Sequence, residues 1–132
     1  MFEKEEELEK KILALKKDIS GQIATIDKIL DEMGYGRSVS NKDELIARQD
    51  ELCNIHKDGR DLEVEIEKSK KKLITIEHLE DEIDKIELYT FQSVRIETLK
   101  DEINRLQEER ERSLKSIEEK IQELDKRVQS LR

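Results

Sequence analysis

Proline and tryptophan are absent from the 132 residues, and cysteine occurs once, at Cys53. Without proline, no helix interior carries the residue that removes a backbone donor and breaks the turn. A single thiol excludes an internal disulfide and fits a reducing compartment. Glycine occurs four times, aromatic residues make up 3% of the chain and hydrophobic residues 34%. That supply of bulky side chains is poor for a compact single-core enzyme. No apolar run approaches the roughly 18 residues that a membrane span requires. The start, Met1-Phe2-Glu3-Lys4-Glu5-Glu6-Glu7, is acidic where a signal or transit peptide needs basic residues. These features predict a soluble protein of the cytoplasm, with the cytoskeleton and the nucleus as alternative locations.

Charge is what the chain has in abundance. Its 26 Lys and Arg stand against 34 Asp and Glu, for a net charge of −8, and ionisable residues are 45% of the sequence. Richness in Glu, Lys, Leu and Ile is the composition of long helices and coiled coils. High charge with low hydrophobicity is also the mark of disorder, but disorder predicts no regular spacing of apolar residues. The acidic balance disfavours a nucleic-acid binder, because phosphate neutralisation drives that binding.

The apolar spacing is regular. Leu8, Ile12, Leu15, Ile19, Ile23, Ile26, Leu30 and Met33 follow one another at steps of three and four, tracking one helix face. The two steps of four around Ile19 and Ile23 form a stutter, and Gly21 beside it is a soft point costing about 1 kcal/mol relative to Ala. The first helix is therefore expected over 1–33. The pattern stops at Gly34-Tyr35-Gly36-Arg37-Ser38-Val39-Ser40-Asn41, read as a turn over 34–41. Asn41 with Glu44, or Ser40 with Asp43, offers a capping box for the next helix. That length of connection joins antiparallel neighbours, so the helix over 42–88 is expected to lie antiparallel to the first.

The second stripe is Leu45, Leu52, Ile55, Leu62, Ile66, Leu73 and Ile76, with Arg48, Gly59 and Ser69 in slots between them. Gly59 in such a slot either allows close helix approach or is a tolerated weak spot. From Ile76 to Leu79 the spacing slips to a new register, Leu79, Ile83 and Ile86. The slip either overwinds the supercoil or marks the edge of one packing partner and the start of another. Residues 89–95 are a candidate break: the stretch is rich in aromatic and β-branched residues, and Thr90 or Ser93 can cap a new helix. It contains neither Gly nor Pro, so a continuous helix is an equal alternative.

The third stripe, in a segment over 96–132, is Ile96, Leu99, Ile103 and Leu106, followed by Leu114, Ile117, Ile121, Leu124, Val128 and Leu131. Arg110 sits where a Leu belongs, and a seam Arg either snorkels or fixes register and partner. A helix cannot bury its own stripe. The expected fold is thus all-α and elongated, an antiparallel helical hairpin followed by a C-terminal zipper helix. Leu99, Ile103, Leu106, Leu114, Ile117, Ile121, Leu124, Val128 and Leu131 are the expected interface with a second copy or another coiled-coil protein, making the chain a homo-oligomer.

Chemistry is sparse. Cys53 and His56 share a helix face, but a zinc site needs about four ligands and His78 lies far along the helix. No Ser or Cys has a His and a carboxylate in a recognisable arrangement, and Gly34-Tyr35-Gly36 lacks the rest of a phosphate loop. Neither enzyme activity, nor a metal, nor a cofactor is expected. Two basic groups interrupt the acidic background: Lys68, Lys70, Lys71 and Lys72, and Arg105, Arg110, Arg112 and Lys115. They are either ordinary solvated faces or contacts to an anionic partner such as a microtubule or lipid surface.

The stretch Ile26-Asp27-Lys28-Ile29-Leu30-Asp31-Glu32-Met33-Gly34 resembles the helix ends of the cytokinetic family of antiparallel microtubule bundlers. So does Phe91-Gln92-Ser93 through Ile96 and Leu99, with Glu109-Arg110-Glu111-Arg112, Ile117, Ile121 and Leu124 beyond. The resemblance implies a dimerising helical rod without that family's separate spectrin-like, filament-binding domain. Together with the stripes it gives the expected function: a non-catalytic scaffold or dimerisation rod spacing partners in a cytoskeletal or trafficking assembly.

Overall fold

The computed structural model describes residues 1–33, 39–89 and 93–132. Three helices, α1 Glu3–Met33, α2 Val39–Tyr89 and α3 Ser93–Ser130, make up the fold, and there is no strand among the described residues. They contain 31, 51 and 38 residues. At about 1.5 Å per residue they are rods of roughly 46, 77 and 57 Å. Glu3, Glu5 and Glu6 occupy the first turn of α1, where carboxylates complement the helix dipole. The Phe2 carbonyl accepts the first helical bond from the Glu6 amide at 2.8 Å.

Helix boundaries differ slightly from those the sequence suggests. α2 begins at Val39, so Ser40 and Asn41 lie within its first turn and do not precede it. α3 begins at Ser93, inside the stretch 89–95 read as a candidate break and ahead of the segment expected over 96–132. Gly34, Gly36, Thr90, Phe91 and Gln92 lie outside the described residues.

Ion pairs across the helices fix their directions. Lys16 meets Glu63, Lys70 meets Glu9 and Gln49 donates to Asp27, so α1 runs antiparallel to α2. Arg127 meets Glu51 and Asp58, Lys72 meets Glu109 and Arg95 meets Glu82, so α3 runs antiparallel to α2 along most of its length. Arg110 meets Glu5, Lys11 meets Glu118 and Arg132 meets Asp18, so α1 and α3 are parallel. The chain goes up, down and up.

Here the structure corrects one expectation. The stripe assigned to a second molecule is covered by the chain itself, because α3 lies antiparallel along α2. Leu114, Ile117, Ile121, Leu124 and Val128 are buried in one core with Leu8, Ile12, Leu15, Ile19, Ile26, Leu52, Ile55, Leu62 and Ile66, and Leu131 packs at its edge. Leu99, Ile103 and Leu106 are buried in a second core with Ile76 and Ile83. Of the two alternatives that the sequence leaves open over 89–95, a break and a continuous helix, the structure has separate helices, although neither Gly nor Pro marks the stretch.

The two cores differ in composition, and the sequence explains where one gives way to the other. The first contains residues of all three helices, the second only of α2 and α3. A three-helix bundle therefore continues into a two-helix stalk at the level where α1 begins. The slip from Ile76 to Leu79 falls just past this level. It keeps the stripe of α2 turned toward α3 and withdraws it from the path of α1, so the slip marks the edge of one packing partner. On the α1 side, the seven-residue series Gly59, Ile66, Leu73 ends in exposed Glu80, and Ile121, Leu114 ends in exposed Gln107 and Lys100. Among the described residues, those two lines carry nothing apolar past Leu73 and Leu114. Each fully buried Leu or Ile is worth about 1.5–3 kcal/mol, against about 0.2–1 kcal/mol for an exposed ion pair. The apolar stripes therefore hold the helices together, and the charges set their alignment.

Candidate functional site

One polar layer interrupts the cores, and each helix contributes one member. Glu5 of α1 is fully buried at 0% exposure, Ser69 of α2 is at 1% and the Arg110 side chain of α3 at 15%. Seam slots that spacing reserves for apolar residues bring Ser69 and Arg110 inward, and Glu5 enters from the first turn of α1. The Arg110 guanidinium grips the carboxylate with two prongs, Nε to Oε1 at 2.7 Å and Nη2 to Oε2 at 3.0 Å. Ser69 Oγ donates to the same Oε1 at 2.9 Å. Both carboxylate oxygens and the hydroxyl donor are thereby satisfied, as burial demands.

Burial pushes the Glu5 carboxyl upward, but hydrogen bonds from Arg110, from its own backbone and from Ser69, with the Arg110 charge added, outweigh it. The net effect holds Glu5 below its ordinary value of 4.5. The group is an anion clamped by a cation in a nearly dry site. Burial at 0% exposure, with donors on both oxygens, closes the carboxylate to a substrate, and a guanidinium does not give up its proton near neutral pH.

A collar of pairs surrounds the layer. Lys70 lies against Glu9, and its Nζ stands 5.8 Å from the centroid of the Phe2 ring. Glu9 first and Glu67 after it hold the Lys70 ammonium above its ordinary range. Lys72 reaches Glu109 at 3.8 Å. At the far end of the bundle, Arg127 donates to Glu51 and Asp58, which raise its already high pKa.

The fold brings the two basic groups of the sequence to the same level, on facing stretches of α2 and α3, and engages most of them internally. Lys68 pairs with Glu65, Lys70 with Glu9 and Glu67, Lys72 with Glu109, Arg105 with Glu102 and Glu109, and Arg110 with Glu5. Arg112 Nε donates to the Glu108 carbonyl at 3.4 Å, and Lys115 lines the α1/α3 groove with Lys4, Glu7 and Glu111. Lys71 points to solvent. Cys53 is exposed, His56 is half-buried beside it and His78 is exposed. Among the described residues no three His, Cys, Asp or Glu side chains gather as a metal site would.

Glu5 is the member that sequence reasoning missed. It stands in a run of acids from Glu3 to Glu9 and has no spacing signal of its own. The available signal lay on its partners: a Ser and an Arg in seam slots of two different helices, with no apolar substitute nearby.

No family model, curated protein or solved structure matches this chain. No helix among the described residues is long and apolar enough to cross a membrane.

Proposed function

We infer that the chain is a non-catalytic helical spacer, a coiled-coil rod that holds two attachments at a set distance and orientation in a cytoskeletal or trafficking assembly. The observation that carries this reading is the Glu5–Ser69–Arg110 layer. A buried two-pronged pair tolerates little sliding, because a shift of one turn in any helix leaves a charge buried without its partner, at a cost of about 3–5 kcal/mol. A molecule locked in register along its axis transmits position. The resemblance to rods of antiparallel microtubule bundlers agrees with such a role. With α3 sheltered by its own chain, the motive for a homodimer zipper falls away, and one copy suffices for the rod. Contact with an anionic filament through the basic groups has less to work with, since Lys70, Lys72, Arg105 and Arg110 are engaged inside the molecule.

The test uses the lone cysteine. Spin labels on Cys53 and on Val94→Cys, an exposed position near the stalk tip, stand about 30 helical residues apart along the axis, or roughly 45 Å. A rigid spacer gives one narrow distance distribution near that value at every protein concentration. A broad distribution, or a second distance that grows with concentration, overturns the reading.

A further inference from the structure

We propose that the stalk groove beyond the start of α1 is a docking site for a basic amphipathic helix of a partner protein, laid end to end with α1.

The argument begins from the established seat of α1. On the α2 side its rim is formed by residues seven apart: Glu63, which meets Lys16, and Lys70, which meets Glu9. On the α3 side Glu118 meets Lys11. Carrying each rim on by sevens into the stalk gives Glu77 and Asp84 on α2, and Glu111, Asn104 and Glu97 on α3, with Glu80 between the rims. Four carboxylates, Glu77, Glu80, Asp84 and Glu97, thus flank a continuation of a groove in which a helix already lies. Beyond Lys70, Lys100 is the one cation on the same lines among the described residues. None of the four carboxylates is in an ion pair among the described residues, in contrast to Glu63 and Glu118.

The apolar part of the site lies at its mouth. Beside the first turn of α1, Ile74 is 42% exposed and Met1 51%, and Leu73 is half-buried. Ile96 is half-buried further along, at the edge of the stalk core. A visiting helix sets an apolar terminal turn on Leu73 and Ile74 and aims Lys or Arg at the two rims. That is how Lys11 and Lys16 of α1 meet Glu118 and Glu63. Charge favours a foreign partner over a second copy: this chain carries −8 overall, and Lys70, Lys72 and Arg110 at the mouth of the groove are engaged within the fold. The proposal adds a partner to the spacer reading and rests on that reading only for the stalk's rigidity, which the spin-label distance tests separately.

The experiment titrates the full chain into a fluorescent Leu/Lys amphipathic peptide about five turns long, with a Leu/Glu peptide of equal length beside it. Two variants carry equal charge changes: Glu77→Lys with Glu80→Lys and Asp84→Lys in the stalk, and Asp43→Lys with Asp50→Lys and Asp61→Lys on the bundle stretch of α2. Circular dichroism verifies that both retain helix. Saturable binding of the Leu/Lys peptide that the stalk variant weakens at least about tenfold and the bundle variant leaves within about twofold supports the site. Equal weakening by both variants means bulk charge attraction and overturns it, as does absence of binding. Sedimentation that shows copies associating through the stalk, lost in the stalk variant, also overturns it in favour of a second copy.

Discussion

Glu5 and Arg110, 105 positions apart in the chain, meet in a two-pronged ion pair that is closed from solvent on the carboxylate side. Ser69 completes the layer from α2, so one charged residue near the start of α1 aligns all three helices.

Removing one partner is expected to cost far more than removing all of them. Arg110→Ala leaves Glu5 buried and unpaired and is expected to lose about 3–5 kcal/mol, whereas Glu5→Leu with Ser69→Ala and Arg110→Met is expected to fall within about 1 kcal/mol of the parent or above it. Urea unfolding followed by circular dichroism reads both. Equal losses in the two proteins would show that the layer contributes packing alone.

The same pair predicts an acid limb in the stability profile. Glu5 titrates below its ordinary value of 4.5 in the folded chain. Its contribution is therefore complete above that value and is lost as the pH falls through the lower folded value. Midpoints measured from pH 6 down to about pH 3 should fall more steeply in the parent than in the Glu5→Leu, Ser69→Ala, Arg110→Met protein. Parallel profiles would contradict the assignment.

Gly59 is the position where a single methyl should help. It is buried on α2, its backbone is helical, and a Cβ built there would stand 4.0 Å from Cγ2 of Ile12, an ordinary contact. Gly59→Ala is expected to stabilise the chain by about 1 kcal/mol through helix propensity. A rise of several degrees in the melting temperature is the outcome to look for, and a fall would mean that α1 and α2 need the closer approach.

Leu15→Asp and Leu124→Asp are expected to behave alike. Both leucines are 5% exposed in the same core, one in α1 and one in α3, so each charge costs stability and neither is expected to change the mass in light scattering. A loss of mass confined to Leu124→Asp would restore the zipper between molecules.

Those leucines also show what the sequence makes legible. Every stripe residue from Leu8 to Ile26 that lands in the core, and every one from Leu99 to Val128, stands at the spacing of one helix face, because burial repeats with the helix turn. Spacing gives a face but no partner, so the stripe of α3 fits a second molecule or, with a break near residue 90, its own chain, and only the packing of α3 on α2 and α1 decides between them. The slip at Leu79 and the misplaced Arg110 were visible as irregularities, though their common cause was not. Both lie near the level at which α1 starts, a relation between residues far apart in the chain that no local pattern encodes.

The switch from three helices to two separates length from integrity. Seven residues added to each arm of the stalk, after Leu79 and before Leu99, would lengthen the molecule by about 10 Å while every contact of the bundle stayed in place. An equal extension of the bundle would demand matched insertions in all three helices at once. Reach in this architecture is a quantity that two paired insertions can reset, and a graded series of such proteins would serve as a molecular ruler.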